Sequence, residues 1–177
     1  TLTQQTVDLI KHYESLHDGN LKTIGLQPKL CPAGIWTAGY GHALTDPITG
    51  KFLKGAADKQ KALLLYPVLT SQQAEAMLLN DLDRFAAIVK NTIKVNVTPE
   101  RFGAMVSLCF NIGAGNFASS TLAKLVNQYK YEEAALEFDK WVYATIEGKK
   151  KKLIGLQVRR KSEANLFLTG SLVFFAK

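Results

Sequence analysis

"CPAGIWTAGYGH", residues 31–42, is the stretch on which the reading of this chain turns. Gly34, Gly39 and Gly41 cut it into pieces too short for a helix, and Ile35, Trp36 and Tyr40 between them favour extended backbone. The same texture spreads outward from Gly19 to about residue 57, through Gly25, Pro28, Pro32, Pro47, Gly50 and Gly55, with Phe52 as a further strand-like position. This predicts a small, irregular β-rich lobe.

Both flanks change period. On the N-terminal side, residues 3–17 set Val7, Ile10, Tyr13 and Leu16 three apart, one apolar stripe on a first helix ended by "HDGN". On the C-terminal side, Thr70 with Gln73 forms a capping box ahead of "AEAMLLNDLDRFAAIVKNTI". Thr98 followed by Pro99 is a cap with proline at the first helical position, opening "ERFGAMVSLCFNIG". "GAGNF" ends that helix and Ser119 or Ser120 starts the next. "KYEEAALEFDKWVYATI" follows as a helix, and "GLQVRRKSEANLFLTG" makes the last. The expected fold class is α+β: a first helix, a β-rich lobe over about 18–60 and about five helices over about 70–170, in a single domain spanning 1–177.

Composition narrows the function classes. At 47% hydrophobic and 21% charged residues the chain reads as a soluble globular protein. No apolar run approaches the roughly 18–20 residues of a bilayer crossing. The amphipathic N-terminus, with an early acid at Asp8, does not read as a secretory signal in the form given. Twenty-two Lys and Arg against fifteen Asp and Glu give a net charge of +7, a field that attracts polyanions. Cys31 and Cys109, widely separated, fit reduced thiols of a protein made in a cytosol better than a disulfide framework or a zinc site.

Glu14 sits near the C-terminal end of the first helix. The negative end of the helix dipole and desolvation by Tyr13 or Leu16 both favour its protonated form, the state a general acid needs. A solvated helix glutamate is the competing reading. After the glycine-rich turns come Cys31 and then, after five intervening residues, Thr37 inside "WTAGYGH".

A Glu closing a first helix, a hairpin position with Cys or Asp, a Thr after five residues and then "GYGH" resembles the phage-type lysozymes, the endolysin muramidases of glycoside hydrolase family 24. The resemblance continues through "LTSQQAEAMLLNDL", "FGAMVSLCFNIGAGNFASSTL" and "GLQVRRKSEANLFL", covering roughly residues 7–168. It implies a lysozyme-like fold with a cleft between the β-rich and helical lobes. It also implies that Glu14, Cys31 and Thr37 form the catalytic triad, acting on the β-1,4 bond between N-acetylmuramic acid and N-acetylglucosamine. Glu14 would protonate the departing oxygen. Cys31 stands where many relatives carry aspartate. Because an ordinary thiol is mostly protonated at neutral pH, the expected role is orientation of the attacking water jointly with Thr37, a minor thiolate fraction serving as base. Covalent attack by sulfur is a second route, and a buried small thiol the structural alternative. The sixteen residues between Glu14 and Cys31, "SLHDGNLKTIGLQPKL", exceed the spacing of many relatives and point to an enlarged hairpin.

By the same resemblance Phe110 and Asn111 contact sugar through ring stacking and an amide hydrogen bond, and Ser120, with Ser119 and Thr121, offers hydroxyls to the substrate. Core packing for Phe110 and helix capping for the hydroxyls compete. His42 reads as a hydrogen-bonded or ion-paired structural residue. His12 and His17 lie off the i, i+4 face of zinc-binding helices, so no metal and no cofactor is expected. "GKKKK" at 148–152 and Arg159, Arg160 and Lys161 read as a solvated basic face that also holds the protein to anionic envelope polymers or phospholipid. The apolar tail "GSLVFFAK" runs past the usual family end and is expected to pack on the helical lobe. The implied function is a monomeric phage or prophage endolysin acting on bacterial peptidoglycan, held in the host cytoplasm until lysis and then working in the periplasm or cell wall. Two rivals come from other classes: a noncatalytic peptidoglycan-binding module of the same fold, and a basic nucleic-acid-binding protein, against which "KKKK" stands without interleaved aromatics.

Overall fold

The computed structural model describes residues 2–14, 26–31 and 33–177. Leu16, His17, the "HDGN" helix end and most of the extended Glu14–Cys31 stretch lie outside these residues. The chain forms two compact units, one of residues up to Tyr13 with Leu82–Lys177, the other of Glu14–Asp81.

In the Glu14–Asp81 unit the glycine-rich stretch forms a three-stranded antiparallel sheet, β1 (Lys29–Leu30), β2 (Trp36–Ala38) and β3 (His42–Ala43), in the order β1-β2-β3. Alternation along β2 sends Trp36 and Ala38 into a cluster with Leu44, Leu53 and Ala62, edged by Tyr66, Leu69 and Met77. Trp36 Nε1 donates to the Gly55 carbonyl at 2.8 Å, so the indole is buried without an unmet donor. Gly39 has φ +60, and a Cβ there would press on Ala74 Cβ at 3.3 Å, which is why "AGYGH" needs glycine at that point. Helix α2 (Lys59–Leu65) follows, a short helix within the stretch flanking the β-rich region. The predicted capping box then opens α3 (Ser71–Thr92): Gln73 N donates to Thr70 Oγ1 at 3.1 Å and Thr70 N to Gln73 Oε1 at 2.9 Å.

In the other unit, α1 (Gln4–Glu14, through Tyr13) buries Thr6, Val7, Leu9 and Ile10. Leu9 thus joins the stripe read from the sequence. Helix α4 (Pro99–Ile112) starts at the Thr98 cap, whose side chain accepts from Arg101 N, and buries every residue from Gly103 to Cys109. Gly103 is the crossing point, because a Cβ there would collide with Thr6 Oγ1 and lie 2.9 Å from Thr6 Cβ. Gly113, at φ +94, ends α4, but "AGNFA" continues as a one-turn helix α5 (Ala114–Ala118) rather than a plain break. Helices α6 (Thr121–Asn127) and α7 (Tyr131–Glu137) follow.

Two expectations are corrected here. Residues 141–146 are not the end of a helix: α7 stops at Glu137, a 3₁₀ turn runs to Lys140, and β4 (Tyr143–Ile146) pairs antiparallel with β5 (Lys149–Lys152). The cause is the two-residue loop Glu147–Gly148, with φ 50 and 75, the positive-φ pair that matches hairpin twist. With α3 to α8, six helices follow residue 70 among the described residues, not five. The second correction concerns the basic stretches. The β5 lysines are all exposed, as is Lys161, yet Arg159 and Arg160 on α8 (Ile154–Thr169) are 3% and 0% exposed. Arg160 Nε meets Glu163 Oε2 at 2.9 Å and Arg159 Nε meets Glu163 Oε1 at 3.2 Å, while Ser107 Oγ of α4 donates to Glu163 Oε1 at 2.6 Å. The tail packs on α1 as expected: Leu172 N donates to Gln5 Oε1 at 3.0 Å, and the Phe174 ring stacks on His12 at 4.0 Å between centroids.

Candidate active site

Glu14, Cys31 and Thr37 all fall within the Glu14–Asp81 unit. Glu14 is the last residue of α1 and is half-buried. Cys31 follows β1, with its N–H donating to the Ile35 carbonyl at 2.9 Å and its carbonyl accepting from Gly34 N at 2.8 Å; Gly34, at φ +79, closes this tight turn. Thr37 lies on β2 directly opposite Lys29 and is buried, its hydroxyl donating to the Lys29 carbonyl at 3.1 Å.

The register fixes which side of the hairpin each residue occupies. Lys29 and Cys31 are two apart on one strand line, and Ile35 and Thr37 two apart on the other. Directly opposed residues share a face and successive residues alternate, so Cys31 and Thr37 stand on the same face, diagonal to one another. Trp36 and Ala38 take the other face and pack in the cluster described above. One face of β2 thus anchors the strand while the other presents the hydroxyl.

Thr37 spends its only O–H on the Lys29 carbonyl, so its oxygen is left as an acceptor toward any neighbour. Cys31 is a half-buried free thiol. Cys109, also free, is fully buried in α4, and burial pushes its thiol up to about 11, so it is chemically inert in the folded protein.

His42 is held as expected for a structural residue. Its Nδ1 lies 2.6 Å from Asp81 Oδ2, tying β3 to α3. No group of three or more His, Cys, Asp or Glu able to hold a metal ion occurs among the described residues.

The proposed sugar contacts belong to the other unit. Phe110 is half-buried, edge-to-face with Phe85 at 5.2 Å, and Asn111 is exposed with its amide oxygen accepting from Arg160 at 2.9 Å. That bond turns the Asn111 NH₂ into the free end of the amide. Asn111 lines a cavity of about 390 Å³ together with Ile112, Asn116, Trp141, Tyr143, Ala144, Leu153 and Leu156. Trp141 and Tyr143 are flat aromatic surfaces beside an amide, a combination suited to a sugar, and the sequence reading missed them. The loop residues Glu147–Gly148 are the signal that would have placed Tyr143 on a strand rather than a helix. Ser120 is buried and caps α6, accepting from Ala123 N at 3.1 Å and donating to the Phe117 carbonyl at 2.6 Å. Its hydroxyl is therefore engaged on both sides.

Comparison with known proteins places the chain in a family. Residues 20–163 match the phage lysozyme family, and the chain belongs to it. It is 36% identical to the endolysin of Acyrthosiphon pisum secondary endosymbiont phage 1, covering 94% of this chain and 97% of that protein. It is 32% identical to the endolysin of Bacillus phage B103 over 96% of this chain, but spans only 54% of that longer protein. Among solved structures it resembles the endolysin from Escherichia coli O157:H7 phage FAHEc1, with TM-score 0.78, 33% identity and coverage of 98% and 96% of the two chains. It also resembles the muramidase domain of SpmX from Asticaccaulis excentricus, with TM-score 0.74, 32% identity and coverage of 96% and 98%. The fold is lysozyme-like, as the motif order implied.

Proposed function

We propose that Glu14, Cys31 and Thr37 cleave the β-1,4 bond between N-acetylmuramic acid and N-acetylglucosamine in bacterial peptidoglycan. As a member of the phage lysozyme family the chain is a muramidase, a glycoside hydrolase that degrades peptidoglycan. Glu14 donates its proton to the leaving glycosidic oxygen. Charge develops on the anomeric carbon, and water attacks it. Thr37 Oγ1 accepts one hydrogen of that water, because its own hydrogen is committed to Lys29. The minor thiolate fraction of Cys31 takes the proton of the other O–H as the C–O bond forms, leaving a neutral thiol. The observation that carries this reading is the shared hairpin face of Cys31 and Thr37.

Phe110 and Asn111 provide sugar contacts, and Trp141 and Tyr143 extend those of Asn111 around the cavity the three share. Ser120 contributes by capping α6, and its hydroxyl reaches substrate only by giving up one of its two bonds. The exposed β5 lysines bind anionic envelope polymers, and the enzyme works as a monomer with residues 1–177 acting as one domain. It acts on the cell wall at lysis and is held in the host cytoplasm beforehand. No helix among the described residues is long and apolar enough to cross a membrane.

Release of reducing ends from purified peptidoglycan tests the assignment. Glu14→Gln is expected to lose activity by about 10²–10⁴-fold while still unfolding cooperatively; a Gln variant at the wild-type rate removes Glu14 from the chemistry. A Cys31→Ala, Cys31→Ser and Cys31→Asp series assigns the sulfur. Loss in Ala with recovery in Asp supports the water-orienting role, and full activity in Ala ends it. The anomer of the product distinguishes attack by water from a covalent sulfur intermediate.

A further inference from the structure

We propose that the outer face formed by α2 and the turn at residues 46–52 docks on an anionic phospholipid surface. The stretch from Ile48 to Val68 exposes an unusual amount of large apolar side chain: Ile48 at 91%, Leu64 at 75%, and Phe52, Leu63, Leu65 and Val68 at 40–50%. Isolated exposed leucines are ordinary on a protein surface, whereas three in succession on one short helix beside an exposed loop-tip isoleucine are not.

The two elements form one surface. Both adjoin the same cluster, through Leu53 just after the turn and through Ala62 of α2 with Tyr66 just after that helix. They are also joined laterally, Lys61 pairing with Asp46 and the Tyr66 hydroxyl donating to the Thr45 carbonyl at 3.0 Å. Asp46 Oδ1 accepts from Ile48 N at 2.8 Å and Thr49 N at 3.3 Å, which fixes the tip that carries Ile48. On α2, Leu64 stands two residues from both Ala62 and Tyr66, on the side of the helix opposite the core.

Charge selects the occupant. Over residues 46–68 Lys51, Lys54, Lys59 and Lys61 stand against two acids, Asp46 and Asp58, and with Lys61 paired to Asp46 the exposed Lys51, Lys54 and Lys59 set the sign of the face. A purely anionic polymer has no use for exposed leucine, and an apolar partner surface has none for exposed lysine. Aliphatic side chains at the level of the acyl boundary, with lysines at the level of anionic headgroups, use both. This inference does not rest on the catalytic assignment, and the Glu14→Gln protein should bind lipid as the wild type does.

Co-sedimentation with vesicles of phosphatidylglycerol and phosphatidylethanolamine, against vesicles of phosphatidylcholine alone, tests it. The wild type should bind only the anionic vesicles. Ile48→Ser with Leu64→Ser, which leaves every charge in place, should weaken binding by about tenfold or more. Lys51→Gln with Lys54→Gln and Lys59→Gln should weaken it similarly, and both sets should digest lipid-free peptidoglycan at the wild-type rate. The proposal is overturned if the wild type ignores anionic vesicles, or if the serine variant binds as tightly as wild type, which would reduce the effect to net charge. It is equally overturned if light scattering shows a wild-type dimer that the serine variant dissolves, since a second copy would then cover this face.

Discussion

Two basic stretches lie within a dozen residues of each other, Lys149–Lys152 and Arg159–Arg160, and the fold treats them in opposite ways. The lysines line an exposed strand, with Lys150 Nζ 5.0 Å from the centroid of the Tyr143 ring. The arginines are buried around one carboxylate, Glu163, with Arg160 reaching on to Asn111. A guanidinium is planar, weakly hydrated and able to serve two acceptors from fixed directions, whereas an ammonium is a compact, strongly hydrated charge. Positive charge in the sequence therefore does not by itself mark surface: the lysines of β5 stay in water, while Arg159 and Arg160 are drawn inward by an acid three and four places along α8.

The contrast can be broken most severely at Glu163. Glu163→Ala removes the carboxylate that two buried guanidinium groups share and should cost about 3–5 kcal/mol in denaturant unfolding. A loss under about 1 kcal/mol would mean that the arginines find other partners. Arg160→Lys should cost about 1–3 kcal/mol, because one ammonium cannot serve Glu163 Oε2 and Asn111 Oδ1 in the geometry of the fork. If Asn111 holds sugar, the same variant should raise KM more than it lowers kcat.

A middle case is Asp46 with Lys61, where the carboxylate is buried and the lysine half-exposed. The hydrogen bond from Lys61, followed by that from Ile48 N, holds the Asp46 carboxyl below its ordinary value of 3.8. A lowered folded value means stability that is present above the unfolded value and lost as pH falls through the folded one. Asp46→Asn should therefore be less stable than wild type at neutral pH, with the difference closing below about pH 4, as read by thermal melts across an acid series. The smallest effect belongs to β5: Lys149→Gln or Lys151→Gln should shift stability by no more than about 0.5 kcal/mol. Their combined replacement should instead weaken retention on anionic wall polymer and flatten its salt dependence.

Much of this was legible because it is local. The Thr70–Gln73 box, the Thr98–Pro99 start of α4 and the glycine at residue 39 are each set by the backbone of a few neighbouring residues. The hairpin register was not read from the sequence; the pairing of Lys29 with Thr37 and Leu30 with Trp36 came from the structure. What was misread depends on partners distant in sequence. "WVYATI" has the apolar content of a helix end, and only its pairing with a lysine run across Glu147–Gly148 makes it a strand. Trp141 and Tyr143 join Asn111 in a cavity because α4 and that hairpin meet.

The sequence alone determined the first helix, the β-rich region after it and the capped starts of α3 and α4, since these follow from dihedral preferences and hydrogen bonds spanning a few positions. Only the tertiary structure decided which charges are desolvated, which apolar residues stay in water on α2, and which aromatics line the Asn111 cavity. Burial is a property of the neighbours a side chain meets, and for Arg160 those neighbours include Asn111, forty-nine residues away.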